Sequence, residues 1–370
     1  MSEPGSGRPL EWVARLTRPD IWAMRPYSSA RTEGDQSARV LLDANENPYP
    51  PYPGTEREVG LNRYPEPQPR ALVERFAELY GTEPERVFLA RGADEGIDLL
   101  VRAFCAAGKD GIVTTPPSFV MYETAARIQG AHVHEVPLIR DLTFRLDLHG
   151  MLRTVRQHPG TKLVFVCSPN NPSGNLMGRG EILRLATELE GRALVVVDEL
   201  YVDYSGAPSL AAELPAHDNL VVLRSLSKEY SLAGERCGIT LAHPDVVAVL
   251  RRIMPPYPLP SSVIRSVAAA ITSDGIAYGR KNIELVLTER DRVAAALEAS
   301  PGIRGVYPSD ANFLLARAVD GPRLVTTLAG QGVKIRDRGS VLADAVRISI
   351  GTQEDNDALL AGLAAYEREL

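Results

Sequence analysis

The sequence predicts an α/β fold, with a mostly parallel sheet flanked by helices and a smaller α+β lobe after it. Three observations lead there. Short continuous runs rich in Val, Leu and Ile recur at 87–90, 111–114, 162–167, 194–197, 220–223 and 238–241. Strands buried on both faces need apolar residues at every position, not at alternate ones. Stretches with helical spacing separate several of these runs, and that alternation is how a parallel sheet is connected. Finally, 370 residues exceed the size at which one hydrophobic core usually keeps growing, so two lobes are expected.

The elements follow in order. Residues 1–60 read as an N-terminal arm rich in Pro, Arg and Asn. Within it DANENPYPPYP at 43–53 is extended, because each Pro removes a backbone donor and restricts the residue before it. An arm of this length needs a surface to pack on, a second subunit being one. From Pro69 the pattern turns helical, with Leu72, Phe76, Leu79 and Tyr80 on one face and Gly81 as the stop. Further helices are expected near 94–104 and 119–129, so the large α/β domain spans 61–265. After Pro255-Pro256 come a long helix at 277–299, strand-like segments at 311–316 and 346–350, and a helix at 355–366. Residues 266–370 therefore form a separate α+β domain, with no internal repeat or low-complexity segment in the chain.

Composition narrows the function. Apolar residues make up 44% and charged ones 24%, as in an ordinary globular protein. The net charge, 41 − 47 = −6, comes without a long basic run and argues against nucleic acid as a partner. Cys105, Cys167 and Cys237 are scattered within apolar runs, which suits reduced thiols better than a disulfide framework. The N-terminal MSEPGSGRPLEWVARL has no apolar signal region, and no apolar stretch approaches a membrane span, so a cytoplasmic, soluble protein is expected.

Four polar signatures fall at the ends of strand candidates, where open α/β sheets bind ligands. After 220–223 comes RSLSKEYSLAGERCG, with Ser225, Ser227, Lys228 and Arg236. A lysine there could simply reach solvent, but two hydroxyls and an arginine beside it suit a phosphate held next to an amine nucleophile. Lysine can be desolvated and activated for imine formation, whereas arginine cannot. After 194–197 comes Asp198-Glu199-Leu200-Tyr201. Asp198 reads either as a cap or surface charge, or as a carboxylate that keeps a cofactor's pyridine nitrogen protonated. An opposite charge a few ångströms away shifts a pKa by roughly 1–3 units, enough for the second role. Tyr201 could bond the phenolic oxygen of such a ring. SPNNPSG at 168–174 is turn chemistry that also fixes the Asn171 amide. Arg91-Gly92-Ala93-Asp94-Glu95-Gly96 reads as an Asp-capped helix start and equally as an anion site on free N–H groups. Beside Lys228 the phosphate reading leads.

With these residues in hand, the chain resembles the fold-type I pyridoxal-phosphate aminotransferases, and within them the histidinol-phosphate aminotransferases. The likeness runs over nearly the whole chain, through PYSSAR (26–31), RYPEPQP (63–69), RGADEGIDLLVRAFC (91–105), SPNNPSG, DELY, SLSK, LAGERCG and VRISIGT (346–352). It implies that Lys228 holds pyridoxal 5'-phosphate covalently and shuttles the proton, and that Asp198 pairs with the ring nitrogen. Asn171 and Tyr201 would contact the phenolic oxygen, and Ser225, Ser227, Arg236 and the backbone of Ala93 and Asp94 the phosphate. Phe119 occupies the ring-stacking position, where many relatives carry Tyr, and DELY departs from the commoner DEAY. Tyr64 resembles the tyrosine that crosses to the neighbouring subunit's phosphate, which implies a homodimer.

For the substrate, Arg347, Arg336, Tyr27 and Asn45 match positions that hold its anionic end. Two arginines and a phenol suit a dianionic phosphate better than a lone carboxylate. The reaction so implied is L-histidinol phosphate plus 2-oxoglutarate giving imidazole-acetol phosphate and L-glutamate, in histidine biosynthesis. An aromatic amino-acid aminotransferase or another biosynthetic relative is the alternative. A non-catalytic pyridoxal-phosphate-binding regulator is disfavoured by the complete cofactor set and by the lack of room for a winged helix in the weakly patterned first 60 residues. His132-x-His134 in AHVHEV lacks a third ligand in sequence, so no metal is expected. No GK[ST] phosphate loop and no strand-linked GxGxxG occurs, so nucleotide binding is unsupported.

Overall fold

A computed structural model describes residues 11–24, 62–141 and 143–370. Its centre is a seven-stranded sheet made of β1 (Val87–Ala90), β2 (Gly111–Thr114), β3 (His132–Glu135), β6 (Thr161–Cys167), β7 (Leu194–Asp198), β8 (Leu220–Ser225) and β9 (Gly238–Leu241). Between β3 and β6 lies a small hairpin of β4 (Ile139–Arg140) and β5 (Phe144–Arg145). The order across the large sheet is β1-β9-β8-β7-β6-β2-β3. Pairings are parallel from β8 to β3, and β9 runs antiparallel to both neighbours. Six strands thus point one way and only β9 is reversed. A short connection from β8 can reach an antiparallel neighbour, whereas a parallel one needs a full crossover.

Apolar residues at every position are explained by the two faces. Val164, Val166, Val195, Val197 and Val222 enter one core, while Leu163, Phe165, Leu194, Val196 and Val221 enter the other. Successive side chains of a strand alternate faces, and helices cover both. Helix Gly92–Phe104 packs on the second face and helix Arg70–Tyr80 on the first.

Within the N-terminal arm, residues 11–24 form two short helices, Glu11–Leu16 and Pro19–Ala23, that the weak patterning there does not announce. Val13, Leu16 and Ile21 are buried in the second core, and Arg252 lies 4.6 Å over the Trp22 ring. Their surface is therefore the chain's own large lobe. The DANENPYPPYP segment lies outside the described residues.

The second lobe has a four-stranded antiparallel sheet of β10 (Ile303–Val306), β11 (Phe313–Ala318), β12 (Arg336–Asp337) and β13 (Ala345–Ser349), in the order β10-β11-β13-β12. It carries its own core, in which Leu314, Val346, Ile348 and Tyr366 are buried. The long helix runs Ser273–Ala299, a turn earlier than its apolar pattern suggests, because Thr272 caps it by accepting from Gly275 N at 3.1 Å. Helix Gln353–Glu369 starts from a capping box between Thr352 and Asp355. Among the described residues no helix is long and apolar enough to cross a membrane. The three cysteines are free and buried.

Candidate active site

Because the six like-directed strands end on one edge, the segments that follow them are gathered there. They line a cavity of about 650 Å3. The start of helix Gly92–Phe104 contributes Ala93 and Asp94, and the turn after β6 contributes Asn171. Tyr201 follows β7, while Ser225, Ser227, Lys228 and Arg236 follow β8. Phe119 sits just before helix Met121–Gln129 and also faces the cavity. The small lobe closes it with Arg336 and Arg347. Tyr64 is not among the lining residues. It is 51% exposed and stacks on Tyr257 at 4.3 Å. Tyr27 and Asn45 lie outside the described residues.

Asp198 ends β7, 3% exposed; it is not among the lining residues, while Leu200 and Tyr201 just after it are. Its Oδ2 accepts from the Tyr122 hydroxyl at 2.6 Å and its Oδ1 from Leu200 N at 3.2 Å. Burial nevertheless pushes its carboxyl up to about 6, against the pull of Tyr122 and the Leu200 amide. The carboxylate that the sequence suggests is therefore harder to ionise than an ordinary aspartate. Tyr122 was not legible as its partner, being 76 residues away in sequence. The one hint was its place three residues after Phe119, whose ring meets it edge-on at 5.7 Å.

Lys228 lies in the short helix Leu226–Glu229, capped by Ser225. Burial, then the like charges of Arg347 and Arg236, hold its amine below the ordinary lysine range, with Asp94 and Asp198 pulling the other way. Its Nζ is 6.0 Å from the Tyr201 ring centre. The turn is braced from behind. Tyr204 donates to Lys228 O at 2.9 Å, and Arg224 donates to Asp203 at 2.7 and 2.8 Å and to Glu229 at 3.0 Å. Arg224 and Glu199 are both buried, and Glu199 accepts from Ser209 and Leu210 N. The Glu of DELY is thus a structural anchor.

The same cavity holds a phosphate cradle. Gly92 has φ +79, and a Cβ there would come within 2.6 Å of Arg236 Nη2. A side chain would fill the space between the helix amides and the guanidinium. Gly238 must also be glycine, since a Cβ would overlap the Gly92 carbonyl carbon and Ala93 N. Arg236 pairs with Asp94 at 3.1 Å, and the Ser225 and Ser227 hydroxyls are 2.9 Å apart. Ser118, unnoticed in the sequence, brings a buried hydroxyl with no partner to the cavity wall. Open amides, hydroxyls and an arginine suit a phosphate. A buried carboxylate and a cavity-lining amine are the two groups a pyridine ring and its aldehyde call for. The residues present fit pyridoxal 5'-phosphate.

Arg347 donates to Asn171 Oδ1 at 2.5 Å, joining the small lobe to the turn after β6. His134 stacks on His158 at 3.9 Å, and among the described residues no cluster of three or more His, Cys, Asp or Glu is placed to hold a metal ion.

Comparison with known proteins gives the same picture. The sequence profile of aminotransferase class I and II matches residues 32–363. A histidinol-phosphate aminotransferase of Stenotrophomonas maltophilia (strain R551-3) is 46% identical over 359 residues, covering 96% of this chain and 98% of the relative. The crystal structure of the histidinol-phosphate aminotransferase from Clostridium acetobutylicum aligns with a TM-score of 0.76 at 21% identity, over 84% of this chain and 92% of that one. That from Sinorhizobium meliloti, in complex with pyridoxal-5'-phosphate, aligns with a TM-score of 0.74 at 24% identity, over 83% of each chain. At those identities the two structures speak for the fold alone.

Proposed function

The chain belongs to the class I and II aminotransferases, and from that premise we propose that it is a pyridoxal-phosphate transaminase that takes L-histidinol phosphate and 2-oxoglutarate to imidazole-acetol phosphate and L-glutamate. The observation that carries this is Lys228, a desolvated amine that lines one cavity with the phosphate-cradle residues and with Arg336 and Arg347, and that feels the charge of the buried Asp198 carboxylate. Pyridoxal 5'-phosphate supplies the aldehyde carbon that accepts the amino group and the ring that takes up charge from the substrate's α-carbon.

The chain's own residues do the rest. A lysine held below its ordinary range has more neutral amine near pH 7, so Lys228 can bond a carbonyl carbon. The same Nζ would take the proton from the substrate's α-carbon and deliver it to the cofactor carbon across the intervening nitrogen, a proton transfer worth about 10²–10⁴-fold in rate. Asp198, with Tyr122 bonded to one oxygen, holds a proton on the ring nitrogen. Asn171 and Tyr201 orient the phenolic oxygen, and Phe119 covers the ring. Ala93, Asp94, Ser225, Ser227 and Arg236 hold the phosphate. Arg347 and Arg336, with Tyr27 and Asn45 from the N-terminal region, receive the substrate's anionic end. The 46% identical relative named for histidinol phosphate supports this substrate over an aromatic amino acid.

A homodimer belongs to the same reading. Tyr64 is exposed and absent from its own chain's cavity, which is where a residue serving a neighbour's phosphate would stand. Residues 61–265 and 266–370 act as cofactor-binding and closing domains, and free buried thiols suit the cytoplasm.

The purified protein should show a visible cofactor band that borohydride bleaches and that Lys228→Ala lacks. Turnover in that variant should fall by about 10³-fold or more. In a half-reaction screen histidinol phosphate should outpace phenylalanine, tyrosine and aspartate; a faster phenylalanine would overturn the substrate. Sedimentation should give a dimer, and Tyr64→Phe should weaken cofactor retention by about tenfold.

A further inference from the structure

The arginines of the small lobe are arranged at a cost. β12 pairs with β13 so that Arg336 lies directly opposite Arg347, and like charges at opposed positions of a ladder repel. The ladder continues one step further, since Arg338 N donates to Ala345 O at 2.8 Å. Arg338 is two residues beyond Arg336, so it falls on the same face. All three arginines line the cavity. Among the described residues none of them is paired with a carboxylate. Asp337, between them, is turned to its own loop, where Oδ1 accepts from Gly339 N at 2.7 Å. The Nε atoms of Arg338 and Arg347 are buried without hydrogen-bond partners. Two unpaired buried donors beside a third like charge are what an external anion would satisfy.

A carboxylate, with one charge and two oxygens, is satisfied by a single bidentate arginine. A phosphate monoester carries about −1.5 to −2 and three strong acceptor oxygens near pH 7. We propose that Arg338 is the third guanidinium of the substrate's anion site, and that it makes the site select a phosphate monoester dianion over a carboxylate. This rests on the reading of a phosphorylated amino donor. Arg347, fixed by Asn171, serves the anionic end of either substrate, and Arg336 with Arg338 adds the charge and donors that only the dianion can use.

Calorimetric titration of the holoenzyme with glycerol 3-phosphate and with glutarate, neither of which carries an amino group to transfer, reads this directly. Wild type should prefer glycerol 3-phosphate. In Arg338→Gln the ratio of the two affinities should fall by about 10–100-fold, the effect of losing one charged hydrogen bond, and Arg338→Lys should restore part of it. A ratio unchanged in Arg338→Gln, or both ligands weakening equally, overturns the proposal. A wild type without preference for glycerol 3-phosphate sinks the phosphorylated-donor reading as well. A wild-type preference whose size is unchanged in Arg338→Gln sinks this inference alone. Should Arg338→Gln not fold, Arg338→Lys carries the test, because a lysine offers charge without the planar fork and must still reduce the ratio.

Discussion

At the scale of single residues, Asp198 shows how a site is tuned before anything binds to it. Its folded value of about 6 lies above the reference 3.8, so between those pH values the native protein keeps a proton that the unfolded chain has released. Stability of the cofactor-free protein from this group therefore falls as pH rises through about 4–6, and stays lower above that window. Two pKa units correspond to roughly 3 kcal/mol at most. Asp198→Asn, which keeps the shape and an oxygen for the Tyr122 hydroxyl, should make the cofactor-free protein more stable at pH 8, by up to roughly 3 kcal/mol. The gain should vanish near pH 4. The same variant should bind pyridoxal phosphate more weakly, because the ring cation loses its carboxylate. Urea unfolding at the two pH values measures the first effect and fluorescence titration the second. A variant less stable than wild type at pH 8 would contradict the burial argument.

At the scale of elements, the close approach of β9 to helix Gly92–Phe104 sets the phosphate cradle. Gly238 opens β9 against the helix's first peptide, so Gly238→Ala must push strand and helix apart. Overpacking of this kind costs typically about 1–3 kcal/mol, and cofactor affinity should fall with it, since the Ala93 and Asp94 amides move. Equilibrium dialysis and thermal unfolding read both; cofactor affinity equal to wild type would show that the cradle does not depend on the contact. This level was largely legible in the sequence. The central strands announce themselves because burial on two faces demands unbroken apolar runs, and their ends carry SLSK, DELY and SPNNPSG. What stayed hidden is short or long-range. β12 has two residues, both exposed, and offers no run to detect. The helices at 11–16 and 19–23 are too short for periodicity and gain their order from the lobe they cover. The Tyr122–Asp198 and Arg347–Asn171 bonds join residues 76 and 176 positions apart, which spacing cannot reveal. Arg338 had a local signal, the alternation in KIRDRG, but it speaks only once a strand is known there.

At the scale of the whole molecule, the two lobes meet at the turn after β6, and Gly174 is one of the points of contact. Its carbonyl accepts from Asp310 N at 2.8 Å, and Leu176 N donates to Asp310 Oδ2 at 2.8 Å. Three residues earlier Asn171 holds Arg347, so the docking of the lobes and the aim of a substrate-binding arginine share one loop. Gly174 has φ +84, and a Cβ there would overlap the Ser309 hydroxyl of the small lobe. Gly174→Ala therefore meets two separable penalties: left-handed strain of about 1–2 kcal/mol and displacement of Ser309. Thermal unfolding should drop by several degrees, and KM should rise for both the amino donor and the oxo acid, because Arg347 faces each in turn. Ser309→Gly in the Gly174→Ala background should recover the steric share and leave the backbone share. If the second change restores KM completely, only the Ser309 contact registers the lobes. If neither variant alters KM, the lobes do not set the aim of Arg347 through this loop, and the link from lobe docking to substrate binding is wrong.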